Sequence, residues 1–157
     1  MKYDPFTLRV ALDKNGNARG ELYLDDGVSY NYQKKQKNGP LLKISNHDLG
    51  SANLSESVQG ITVSRYDPDN AYVKDVADVR VEKIVVVGLN EKPTSVKVEE
   101  TGDVLAWEFV HGVGSTEKGK EGVASVLTIR DPKVPVARGW TIGIYLCSIT
   151  KLQSLLL

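Results

Sequence analysis

Short runs in which every second residue is apolar recur along this chain, and turn-forming residues interrupt each run before it reaches helical length. In Thr7–Leu12 the apolar positions are Leu8, Val10 and Leu12; in Glu21–Asp25 they are Leu22 and Leu24. Val96 and Val98 repeat the pattern in Ser95–Glu100, as do Leu105, Trp107 and Phe109 in Val104–Val110, and Trp140, Ile142, Ile144 and Leu146 in Trp140–Leu146. A period of two puts one apolar face on a core and leaves the other face wetter, which is the signature of half-buried strands. Ile84–Val87 is apolar at both parities, as in a central strand covered on both faces. Asp13–Asn17, Asp25-Asp26-Gly27, Asn90–Pro93 and Thr101-Gly102-Asp103 break the runs with residues that tolerate positive φ or bond their own backbone.

This spacing predicts an all-β chain, an antiparallel β-sandwich of about eight strands. It predicts two hairpins. One joins Thr7–Leu12 to Glu21–Asp25 and feeds a short strand at Ser29–Tyr32; the other joins Ser95–Glu100 to Val104–Val110. Leu41–Ser45 reads as a short strand and Asn46–Gly50 as a turn, while Ile61, Thr62 and Val63 favour strand. The expected organisation is one sandwich domain over residues 1–148 and a tail over 149–157. Ile149, Leu152 and Leu156 lie at helical spacing, so the tail is either a short C-terminal helix or a disordered end whose leucines meet another domain or chain.

The totals narrow the function. A chain of 157 residues suits one domain. Twenty basic and twenty acidic residues cancel, which argues against a polyanion partner, so no nucleic acid is expected. A single cysteine, Cys147, allows no intrachain disulfide. No run approaches the roughly 20 apolar residues of a membrane span, and MKYDPF carries no apolar signal segment.

Asp4–Asp13 (DPFTLRVALD) followed by Gly16–Tyr32 (GNARGELYLDDGVSYNY) resembles the distal C-terminal β-domain of family-31 glycoside hydrolases, nearest the glucosidase II α-subunit branch. The likeness continues more weakly in Val81–Gly88 and Trp140–Leu146. It departs at Gln33–Leu42, where the family has a Lys-Gly-aromatic-Leu run and this chain has QKKQKNGPLL. The resemblance implies a β-sandwich, a parent that cleaves terminal α-linked glucose, and residence in the endoplasmic reticulum. It implies a structural role beside the parent's catalytic barrel, with an accessory subunit or a glycan as further partners. The family nucleophile belongs to a Trp-x-Asp-Met-Asn type motif on an upstream barrel, and no such motif occurs here, so no catalytic residue carries over. The isolated chain is therefore not expected to be an enzyme. The alternative is an independent carbohydrate-binding module.

Asp25 and Asp26 are adjacent, so on a strand they face opposite sides and do not flank one sugar; they read as turn residues before Gly27. Asp13-x-Asn15-x-Asn17 opens like a calcium loop, but Ala18 stands where glycine is needed and Leu24 where glutamate is. Gly114–Lys120 nearly spells a phosphate loop, but Glu121 replaces the Ser or Thr and a strand pattern follows. Asp67-Pro68-Asp69-Asn70 reads as a turn. His47, His111 and Cys147 have no metal-ligand spacing, and Cys147 reads as a buried small hydrophobe. No metal and no cofactor is expected. Trp107 and Trp140 fall on inward faces, whereas Tyr30 and Tyr32 share one face of a short strand and are the candidates for contact with a glycan or a neighbouring domain. Asn53-Leu54-Ser55 is a glycosylation sequon.

Overall fold

The computed structural model describes residues 4–24, 41–53, 56–65, 74, 76–113 and 122–147. Among these, nine strands form two sheets. They are β1 (Phe6–Ala11), β2 (Ala18–Tyr23), β3 (Leu41–Asn53), β4 (Glu56–Arg65), β5 (Val81–Val87), β6 (Pro93–Val98), β7 (Trp107–Val110), β8 (Val126–Arg130) and β9 (Trp140–Cys147). The four-stranded sheet has the order β1-β5-β8-β7, and the five-stranded sheet the order β2-β3-β4-β9-β6. All pairings are antiparallel except β1 with β5. This is the sandwich that the alternation predicts. The tail at 149–157 and the expected strand at Ser29–Tyr32 lie outside the described residues.

The expected hairpin between β1 and β2 does not form. β1 runs parallel to β5, while β2 pairs with β3 in the opposite sheet. Residues 12–17 arch from one layer to the other. Leu12 donates its N–H to Val87 O at 2.9 Å and so stays with the four-stranded sheet, and Gly16 turns the chain at φ 79°. Asp13 stabilises the arch: its Oδ1 accepts the N–H groups of Asn15 (2.8 Å) and Asn17 (2.9 Å).

The second expected hairpin forms only at its tip. Val98 N–H bonds Asp103 O and Leu105 N–H bonds Val96 O, with Gly102 at φ 76°. The chain then leaves, and β7 joins the four-stranded sheet. Residues 131–139 make another crossing. There Asp131 (φ 43°) and Lys133 (φ 57°) are left-handed, a conformation that costs a residue with a Cβ about 1–2 kcal/mol. Val81 N–H to Val134 O (3.0 Å), Val136 N–H to Val79 O (2.8 Å) and Trp140 Nε1–H to Pro135 O (2.9 Å) hold that segment in place.

β3 also departs from the expectation. The residues read as a turn, Asn46–Gly50, continue the strand through to Asn53. Asn46 sits inside the sandwich, 2% exposed, and its Nδ2 donates to Gly16 O (2.8 Å) and Gln59 Oε1 (3.0 Å). A register shift between Asp48 and Gly50 absorbs the remaining turn residues as a bulge.

The registers align the inner faces into rows. Leu8, Ile84, Ile129 and Trp107 form one row of the four-stranded sheet, and Val10, Val86, Leu127 and Phe109 the next. Against them the five-stranded sheet sets Ile61 beside Ile142, Val63 beside Trp140, and Val96 beside Ile144. β5 is central, as expected, but only one of its faces is fully covered: Val81, Ile84 and Val86 are buried, whereas Val85 and Val87 are half-buried.

Ile142→Ala is expected to cost about 2–5 kcal/mol, because the side chain is fully buried and the rows around it cannot close the gap. Val110→Ala, at a position 65% exposed, is expected to change stability by under about 0.5 kcal/mol. Urea unfolding of both variants checks the contrast, and equal costs would contradict the assigned faces.

Candidate functional site

The outer face of the five-stranded sheet carries the densest group of polar side chains with described partners. It is built on a pair of glycines. Gly60 on β4 and Gly143 on β9 are directly opposed, and Lys97 on β6 is the next residue across. A Cβ on Gly60 would lie 2.5 Å from Leu49 Cδ1, and one on Gly143 would collide with Glu99 Oε1. The glycines therefore make a shallow floor that Leu49 and Glu99 already cross.

Tyr145 stands beside this floor. Its hydroxyl donates to Glu99 Oε1 at 3.0 Å, and Lys97 Nζ lies 4.7 Å from the ring centroid, a cation–π distance. Thr94 Oγ1 contacts both Tyr145 O (3.1 Å) and Glu56 Oε1 (3.3 Å). Desolvation raises the Tyr145 phenol above its ordinary value, and the hydrogen bond to Glu99 and the negative charges of Glu99 and Glu56 push the same way. Glu99 and Glu56 are thus tied to a tyrosine and a threonine on one sheet face, which is a structural use of carboxylates.

The other candidates resolve one by one. Asp13 is occupied by its own turn amides, so the calcium-loop likeness is turn chemistry. Among the described residues no cluster of three or more His, Cys, Asp or Glu could hold a metal ion, and no helix is long and apolar enough to cross a membrane. His111 is exposed and packs edge-on to Phe109, with centroids 4.9 Å apart. Cys147 is exposed, which corrects the buried reading: the inward parity of β9 is that of Trp140, Ile142, Ile144 and Leu146, and Cys147 falls on the other. Trp140 is buried, as expected. Trp107 is half-buried on an inner row, with Lys92 Nζ 5.9 Å from its ring. Asp25, Asp26, Tyr30, Tyr32, Asp67–Asn70 and Gly114–Lys120 lie outside the described residues. The sequence reading missed Asn46, whose inward parity opposite Ile61 was available only once the register was known.

Two layered sheets, with Asp13, Glu56 and Glu99 engaged in contacts of the fold, define a β-sandwich domain. The comparisons find homologues of that sandwich among neutral α-glucosidases and glucosidase II α-subunits, of which it matches a domain-sized segment. No protein-family model matches the chain. Human neutral α-glucosidase AB is 33% identical over 143 residues, which is 90% of this chain and 13% of that protein. A probable glucan 1,3-α-glucosidase of Oryza sativa subsp. japonica is 31% identical over 92% of this chain and 14% of its own length. Among solved structures, a glucosidase II α-subunit in a Glc1Man2-bound form superposes with a TM-score of 0.63 at 29% identity, over 92% of this chain and 15% of that one. A heterodimeric ER glucosidase II complex, of catalytic subunit and the binding domain of the regulatory subunit, superposes with a TM-score of 0.62 at 27% identity. The chain thus spans a small fraction of the length of the relatives it matches.

Because a raised phenol favours the folded state while it remains protonated, the Tyr145 contribution is complete below pH 10.0 and fades as pH rises through the folded-state value. Tyr145→Phe is expected to lose the worth of one hydrogen bond at neutral pH, about 0.5–1.5 kcal/mol, and to flatten the alkaline limb of the stability–pH curve measured by urea unfolding. An unchanged alkaline limb would contradict the assignment.

Proposed function

We propose that this chain acts as a non-catalytic β-sandwich domain of an α-glucosidase whose whole polypeptide hydrolyses terminal α-linked glucose. Its work is contact: the domain packs beside the parent's catalytic barrel and covers apolar surface there. The observation that carries this reading is the pairing of two coverages. The likeness to human neutral α-glucosidase AB takes in 90% of this chain but only 13% of the relative. The described residues are consumed by a sandwich, and no barrel strand–helix units stand among them.

The same reading extends to finer assignments. The domain occupies the distal C-terminal position of its parent, residues 1–148 form the sandwich, and 149–157 form a tail. The parent works in the endoplasmic reticulum. An accessory subunit is a second partner, in keeping with the heterodimeric complex that one solved relative forms. Tyr30 and Tyr32 contribute to an interdomain or glycan contact.

The isolated chain is expected to show no turnover of an aryl α-glucoside above the buffer rate, read as release of the chromogenic phenol. Turnover that is lost in Asp25→Ala or Asp26→Ala would place a catalytic acid in this chain and overturn the reading.

A further inference from the structure

An apolar crevice of about 460 Å³ opens along one side of the sandwich, between the rim strands β1 and β2. Phe6, Leu8 and Val10 form one wall, and Ala18, Leu22 and Ile44 the other. Five of these six pack against the core yet stay only half-buried; Val10 alone is closed off. Asn46 lines the same crevice, and its Oδ1 is buried with no hydrogen-bond partner among the described residues. Among the described residues nothing seals the core along this seam.

Among the described residues the strands that border the seam also have unpaired edges. Phe6 and Leu12 donate their N–H groups to Arg80 and Val87 on the β5 side. Residues of a strand alternate in the direction of their main-chain groups, so Thr7, Arg9 and Ala11 turn theirs away from β5. Among the described residues no strand pairs with that side of β1, and β2 pairs only with β3. A lipid or small apolar molecule would cover the walls but leave this row of donors and acceptors unmet. Another extended main chain meets both needs at once. The rim adds a charge preference: Arg9 and Arg19 stand there against one acid, Glu21, which already lies 3.9 Å from Arg19.

We propose that the crevice takes up an extended polypeptide segment, alternately apolar and carrying an acidic residue, which adds as a strand to the free edge of β1 and seals the core. The source of that strand rests on the reading above: the relatives are several times longer than this chain, so the parent polypeptide supplies it. The strand site itself stands on the crevice, the free edge and the rim charge.

The probe is a capped peptide alternating valine and threonine with a terminal glutamate, titrated into the isotopically labelled chain and followed by NMR. Saturable shifts are expected at the Thr7, Arg9 and Ala11 amides and the Leu22 and Ile44 methyls, with none at Tyr145. Arg9→Pro removes one outward N–H, and proline is tolerated on a free edge. That variant is expected to keep the fold and weaken binding by about tenfold or more. If it fails to fold, Ala18→Phe, which fills the crevice from the opposite wall, is expected to abolish binding instead. Absence of a saturable shift at millimolar peptide overturns the proposal, as do shifts that survive the folded Arg9→Pro variant and Ala18→Phe. Dimerisation of the chain through the same residues would also overturn it, by assigning the edge to a second copy. Each of these failures leaves the glucosidase-domain reading standing, because that reading is tested by turnover.

Discussion

The architecture depends on places where the backbone leaves one sheet and enters the other. Among the described residues four of the five positive φ angles fall in such crossings: Gly16 after β1, Gly88 after β5, and Asp131 and Lys133 after β8, while Gly102 turns the hairpin tip that precedes the crossing to β7. A left-handed residue lets an extended chain change layer within a few positions. Glycine supplies that freedom at Gly16 and Gly88. At Asp131 and Lys133 the surrounding hydrogen bonds hold it instead, among them Asp131 N–H to Glu82 O at 2.7 Å. The crossings bring strands distant in sequence side by side, β1 with β5 and β4 with β9 among them.

The faces follow from this threading. Inner rows mix aliphatic residues with Trp107, Phe109 and Trp140, and the buried side chains form one core. On the outside, the five-stranded sheet covers its own glycine floor with Leu49 and Glu99 and ties Tyr145, Lys97 and Glu99 together. The outer face of the four-stranded sheet combines the Arg130–Glu108 ion pair (3.3 Å) and the Thr7 hydroxyl donating to Glu82 (2.7 Å) with an apolar row. Ala11, Val87, Val126 and Val110 align in one row across it, and Val113 and Val123 stand exposed beyond. An exposed apolar row on one face and, among the described residues, a half-buried seam at one side are suited to having neighbours. That agrees with a segment that makes up a minor part of its relatives.

Much of this was legible in the residues. Alternation at Leu8, Val10, Leu22, Val96, Trp107 and Ile142 gave strand character and the buried side correctly, because period two is a local property. Partnership is not local. The arch at Asp13–Asn17 and a hairpin turn use the same residue types, so sequence alone favoured the nearer pairing of β1 with β2. Asn46 and its neighbours looked like a turn because their polarity is turn-like; a bulge and two hydrogen bonds inside the sandwich absorb them instead. Cys147 was misplaced by a single step of parity at the end of β9. The absence of catalytic chemistry was argued from a missing motif, and the contacts of Asp13, Glu56 and Glu99 give those acids other work. The contact role of Tyr30 and Tyr32 rests on their shared face in a segment outside the described residues.

The central claim is that β1 and β2 belong to opposite layers. Interstrand nuclear Overhauser effects test it most directly. The account predicts contacts between backbone protons of Arg9 and the β5 residues around Val85, with none of the close α-proton pairs of an antiparallel ladder between β1 and β2. A continuous ladder joining Phe6–Ala11 to Ala18–Tyr23 would contradict the threading, and with it the open seam and the assignment of faces.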